Sequence, residues 1–219
     1  MSGRGRWVDP YAGLPGPRLF VAAPLPEDAA TAVASIVGEV RGQDLPDGMR
    51  DVRWVRLDGL HLTLRFLGPT SPERMEATAQ AVRVAATASS PLRLTIAGAG
   101  TFPPGPRPRT LWLGLGDGVE ALATVAATTN RALRSAGWPL DERPIRPHLT
   151  LARSDGLAAG PLVAARLADA VKGRMIVVEI DRIGLFESVT GGGPARYALV
   201  DAAPLGPAPP ESSAVYHRS

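Results

Sequence analysis

Between residues 18 and 203 the chain alternates short apolar runs of strand length with stretches whose apolar residues recur at helical spacing. Residues 18–23 read as a strand. A helix then opens at Pro26-Glu27-Asp28, with acidic residues in its first turn and Val33, Ile36, Val37 and Val40 on one face. Residues 52–57 and 60–67 read as two strands joined as a hairpin by Asp58-Gly59. Ser71-Pro72-Glu73 predicts a capped second helix with Met75, Ala79, Val82 and Ala86 as its buried stripe.

The second half repeats this order. Strands are predicted at 92–97 and 110–115, separated by a loop rich in proline between Pro103 and Pro108. Asp117 is expected to cap a long helix with Leu122, Val125, Thr129 and Leu133 on its apolar face, ending at Gly137. A strand at 148–152, a weaker helix at about 158–172, and closing strands at 175–186 and 196–200 complete the pattern, the last two linked by Gly191 to Gly193. This mixed order predicts an α+β fold with helices covering antiparallel sheets. Residues 1–17 and 204–219 are Pro, Gly, Ala or polar in character and are expected to be disordered extensions flanking one domain at 18–203.

Composition narrows the chemistry. A chain of 219 residues with 45% hydrophobic side chains can bury a core without covalent staples. The absence of cysteine excludes disulfides, a thiol nucleophile and every cysteine-ligated metal site. Net charge is only +3, and removing Arg4, Arg6 and Arg218 together with Asp9 and Glu211 leaves 21 basic and 19 acidic side chains, a net +2. That is no footprint for strong duplex binding. No apolar run approaches ~18 residues, the length of a membrane-spanning helix, and Met1 to Arg6 lack the apolar core of a signal peptide, so a cytoplasmic protein is expected.

Three histidines remain, and two of them begin the same tetrapeptide: His61-Leu62-Thr63-Leu64 and His148-Leu149-Thr150-Leu151. From the chain's own composition such a coincidence is on the order of one in a million. In a strand, residues i and i+2 share a face, so each motif presents an imidazole and a hydroxyl roughly 7 Å apart while the leucines pack behind. Two such strands suit in-line displacement at phosphorus. One neutral imidazole takes a proton from water, the other protonates the leaving oxygen, and the threonines donate to non-bridging oxygens. His217 lies in the tail, and Gly191 to Gly193 lack the context of a phosphate-binding loop.

The paired motifs, with Val52-Arg53-Trp54-Val55 ahead of the first, Arg65-Phe66-Leu67-Gly68 after it, and Arg146-Pro147 and Ala152-Arg153 around the second, resemble the 2H phosphoesterase superfamily. The likeness is to its RNA 2′,3′-cyclic phosphodiesterase branch, once called 2′-5′ RNA ligase, and runs from Arg18 to Tyr197. It implies a bilobal fold of two pseudo-symmetric antiparallel sheets with outer helices around a cleft. It also implies metal-independent hydrolysis of RNA 2′,3′-cyclic phosphate ends to 2′-phosphates. A monomer acting on RNA without a cofactor is expected. By the same resemblance His61 is the acid for O3′, His148 the base for water, Arg153 a phosphate clamp, and Phe66 a neighbour of the nucleobase.

Strict alternation, however, puts Arg153 on the face opposite His148, so the clamp requires the strand to end or bend by Ala152. Arg65 falls on the His61 face and is the rival cation. Three other readings stay open: a phosphodiesterase for small cyclic nucleotides such as ADP-ribose cyclic phosphate, a reversible 2′-5′ RNA ligase, and an RNA-end binding module without turnover.

Overall fold

The computed structural model describes residues 16–46, 52–154, 159–189, 191 and 195–206. Among these described residues, nine strands form two antiparallel sheets. The first has the order β3-β1-β8-β9, from β3 (His61–Pro69), β1 (Arg18–Pro24), β8 (Arg182–Val189) and β9 (Arg196–Pro204). The second has the order β2-β6-β5-β4-β7, from β2 (Val52–Trp54), β6 (Leu149–Ser154), β5 (Thr110–Leu115), β4 (Leu92–Phe102) and β7 (Ile176–Ile180). The helices are α1 (Glu27–Arg41), α2 (Pro72–Thr87), α3 (Val119–Ser135) and α4 (Ala159–Ala170).

Helices α2 and α3 pack together and cover the first sheet through β8, β9 and β3, while α1 and α4 cover the second through β7 and β4. The stripe Val33, Ile36, Val37 and Val40 of α1 is buried, as is Leu122, Val125, Thr129 and Leu133 of α3. The apolar residues behind the two motifs, Leu62 and Leu149, are among the largest fully buried side chains. Truncating either to alanine costs about 2–5 kcal/mol. His61 therefore begins β3 and His148 directly precedes β6, each strand anchored from behind by the core.

Several local expectations change. Residues 52–57 and 60–67 do not form a hairpin: β2 pairs with β6 in one sheet, β3 pairs with β1 in the other, and Leu57–Gly59 is a single 3₁₀ turn carrying the chain between them. Gly59 is not among the positive-φ glycines, so the tight-turn geometry that an Asp-Gly hairpin needs is not used. The expected strand at 175–186 is two strands, because the chain leaves the second sheet after Ile180 and enters the first at Arg182. Gly118, at φ 83°, precedes α3 with no side-chain cap from Asp117. At the C-terminal end, β9 runs through Pro204, and Leu205 is buried with its N–H donated to the Asp181 carbonyl at 2.7 Å, so the fold reaches beyond 203. Most of 1–17 and 204–219, with Gly192 and Gly193, lies outside the described residues.

Candidate active site

Both histidine strands depart from simple alternation at the same place in the motif. Opposite β3, Val21 pairs with Arg65 and Ala22 with Thr63, so Leu64 is an extra residue. Opposite β6, Leu111 pairs with Ala152 and Trp112 with Thr150, so Leu151 is an extra residue. An inserted residue inverts the facing of everything after it. The residue four past each histidine therefore turns to the helix side, and the residue five past it turns to the histidine side.

The bulge decides between the two arginines. Arg65 is 8% exposed and points under the sheet towards α3. There it donates to Asn130 Oδ1 at 3.1 Å and the Pro139 carbonyl at 2.7 Å, and pairs with Asp141 at 3.2 Å. The expectation that it shares the His61 face fails for this reason. Its counterpart, Ala152, is fully buried. Arg153, by contrast, lies on the same face as Thr150 and His148, exposed, with Nη1 at 3.4 Å from Thr110 Oγ1. Phe66 occupies the equivalent position in the first motif. It is 61% exposed on the His61 face, with its ring 6.1 Å from that of Phe20.

The imidazoles are held alike. His61 Nδ1 lies 2.7 Å from the Gly59 carbonyl and His148 Nδ1 lies 2.6 Å from the Arg146 carbonyl, each two residues upstream. A carbonyl only accepts, so Nδ1 carries the proton in both rings and Nε2 is the bare nitrogen of the neutral form. Aromatic rings fix the orientation. Phe20 lies 4.8 Å from His61 and Tyr197 meets it edge-on at 4.8 Å, while Phe102 meets His148 edge-on at 5.0 Å and Trp112 lies at 6.2 Å. Gly100 leaves room for Trp112: a Cβ there would fall 2.3 Å from its ring. The hydroxyls of Thr63 and Thr150, both half-buried, have no partner among the described residues.

Burial pushes both imidazoles below the ordinary histidine value. For His61 the desolvation is opposed by the Gly59 carbonyl and reinforced by the charge of His148. For His148 it is opposed by the Arg146 carbonyl and reinforced by the charge of Arg153. The charge of His148 thus acts on His61 and that of Arg153 on His148, which links the three side chains electrostatically. Sequence reasoning singled out the histidines, threonines and Arg153. It passed over the aromatic frame of Phe20, Phe102 and Tyr197, whose members come from distant strands and carry no shared spacing.

Known proteins are similar to this chain in sequence and, for solved structures, in fold. An RNA 2',3'-cyclic phosphodiesterase of Geobacillus stearothermophilus is 34% identical over 134 residues, covering 61% of this chain and 41% of that protein. One of Aeropyrum pernix is 32% identical over 151 residues, covering 68% of this chain and 85% of its own. The crystal structure of E. coli LigT complexed with 3'-AMP superposes with a TM-score of 0.61 at 26% identity, over 86% of this chain and 98% of LigT. Residues 25–192, more than half of the sequence and including both histidine motifs, match the 2'-5' RNA ligase superfamily, and the chain belongs to that family.

Proposed function

We propose that this protein is an RNA 2′,3′-cyclic phosphodiesterase that opens cyclic ends to 2′-phosphates with two histidines and no metal. The observation that carries the reading is the matched pair of imidazoles, each with Nδ1–H donated to the carbonyl two residues upstream and Nε2 left for chemistry. The names of the Geobacillus and Aeropyrum relatives support the substrate, as does the 3'-AMP complex of LigT. Among the described residues no three His, Cys, Asp or Glu side chains gather as a metal-binding set.

In this mechanism His148 Nε2 takes a proton from water as the water oxygen bonds to phosphorus. The P–O3′ bond breaks on the opposite side, and His61 Nε2–H gives its proton to O3′. The protons return through solvent before the next turnover. Desolvation alone would leave both rings neutral, which suits the base. The anionic phosphate supplies the opposite charge that restores a proton to His61 when substrate binds. Thr63 and Thr150 donate to the non-bridging oxygens, Arg153 neutralises their charge, and Phe66 offers an exposed face to the base.

An RNA oligonucleotide ending in a 2′,3′-cyclic phosphate, incubated with chelator-treated protein, tests this. The expected product is a terminal 2′-phosphate at an undiminished rate. A 3′-phosphate product, or loss of turnover restored by a divalent cation, overturns it.

A further inference from the structure

We propose that Arg56 and Arg196 bind the 5′-phosphate of the nucleotide that carries the cyclic end, making the enzyme select RNA chains over bare cyclic nucleosides. The inference rests on the cyclic phosphodiesterase reading and adds the determinant of chain length.

One cavity has His61 on its wall, and a second adjoins the first. The larger, about 400 Å³, is mostly apolar, lined by Pro24, Leu57, Leu60, Phe186 and Leu199, with His61 and the acidic Glu27 also on its wall. Its size falls at the lower end of small-ligand pockets, roughly 300–1,000 Å³, and it has room for the ribose and 5′ side of a nucleotide whose base faces Phe66. The second, about 310 Å³, is lined by Arg56, Arg196, Asp58 and Ala195, and shares Asp58, Gly59 and Tyr197 with the first. Gly59 and Tyr197 form the ridge between them. A side chain at Gly59 would approach the Tyr197 ring at 3.0 Å, so the ridge is as low as this backbone allows.

The charge of the second cavity fits a phosphodiester. Arg56 spends Nε and Nη2 on Asp58, at 3.1 and 2.5 Å, leaving Nη1 to donate. Arg196 is exposed and makes no ion pair with a described residue, yet its charge reaches Asp58 and helps hold that carboxyl below the usual range. Within the second cavity two guanidinium groups against one carboxylate leave one net positive charge, and the Glu27 carboxylate lies in the first cavity, outside it. A terminal nucleotide with its cyclic phosphate at His61 extends its 5′ oxygen away from the reacting end. In an RNA chain that oxygen bears a phosphate, whereas in a cyclic nucleoside phosphate it is a hydroxyl that neither arginine would favour.

The test compares kcat/KM for adenosine 2′,3′-cyclic phosphate and for the dinucleotide ApA ending in a 2′,3′-cyclic phosphate. The wild-type ratio should favour the dinucleotide by about tenfold or more, the scale of one charge-assisted phosphate contact. Arg196→Ala and Arg56→Ala should each reduce that ratio severalfold, and Asp58→Asn should raise it. Arg182→Ala, on the far end of β8, should leave it as it is. A wild-type ratio near one, or a ratio indifferent to Arg196→Ala, overturns the subsite. If neither substrate is hydrolysed, the proposed activity itself fails. Binding then decides the subsite: ApA must bind more tightly than adenosine in an Arg196-dependent way, and equal binding overturns it.

Discussion

Replacing Arg65 and Arg153 in turn separates a structural arginine from a substrate-facing one, and the separation depends on the two bulges. Arg65→Ala removes the pair with Asp141, whose side chains are 8% and 22% exposed, and the donations to Asn130 and Pro139. Breaking a buried pair costs about 3–5 kcal/mol. Asp141 keeps a second partner in Arg143 at 2.8 Å, so the lower end, about 3 kcal/mol, applies. For a domain of this size that lowers Tm by about 6–12 °C. Arg65→Met, which fills the volume without the charge, should lose less. Arg153→Ala deletes an exposed side chain whose one side-chain hydrogen bond among the described residues is 3.4 Å long, so stability should change by no more than about 0.5 kcal/mol. Its kcat/KM on a cyclic-ended oligonucleotide should nevertheless fall by about tenfold or more, the loss expected for a phosphate contact. Circular-dichroism melting and steady-state kinetics on the same preparations give both numbers. An unchanged Tm in Arg65→Ala with a kinetic loss matching that of Arg153→Ala would refute the inverted facing.

Gly100→Ala drives a methyl into the Trp112 ring and should cost about 1–3 kcal/mol of stability; because Trp112 backs His148, kcat should fall with it, and a variant with wild-type Tm and kcat would contradict the packing. Stability should also depend on pH in one direction. Both histidines titrate lower in the fold than in the unfolded chain, where the value is about 6.5. The unfolded state therefore binds more protons as pH drops below that value. Urea unfolding free energy should be level above about pH 7 and fall below it by up to about 1.4 kcal/mol per pH unit for each histidine, a slope that His61→Gln/His148→Gln flattens. A slope of the opposite sign in the wild type would show that the rings are not desolvated.

Much of this architecture was legible in the chain because its elements obey simple periods. The α1 and α3 stripes, the strand runs and the doubled His-Leu-Thr-Leu all appear in the sequence. What escaped it are the features set by partners. A bulge is defined by the opposite strand: Leu64 and Leu151 are extra only because consecutive residues of β1 and β5 pair around them. Without the partner, Arg65 reads as a cleft residue and Arg153 as a buried-side one, the reverse of the structure. Asp58-Gly59 reads as a hairpin because the dipeptide has that preference, yet tertiary pairing sends the flanking strands to different sheets. The aromatic frame and the Arg56 and Arg196 cavity likewise depend on chain crossings that no local window contains.

The proposed hydrolysis depends on His61 and His148 acting as an acid and base pair. The decisive comparison is kcat/KM for His61→Ala, His148→Ala and the double variant against the wild type, with chelator present throughout. Each single variant should lose roughly 10²–10⁴-fold, the usual contribution of a positioned general acid or base, while keeping its fold. Turnover in either single variant within a few fold of the wild type would contradict the two-histidine account.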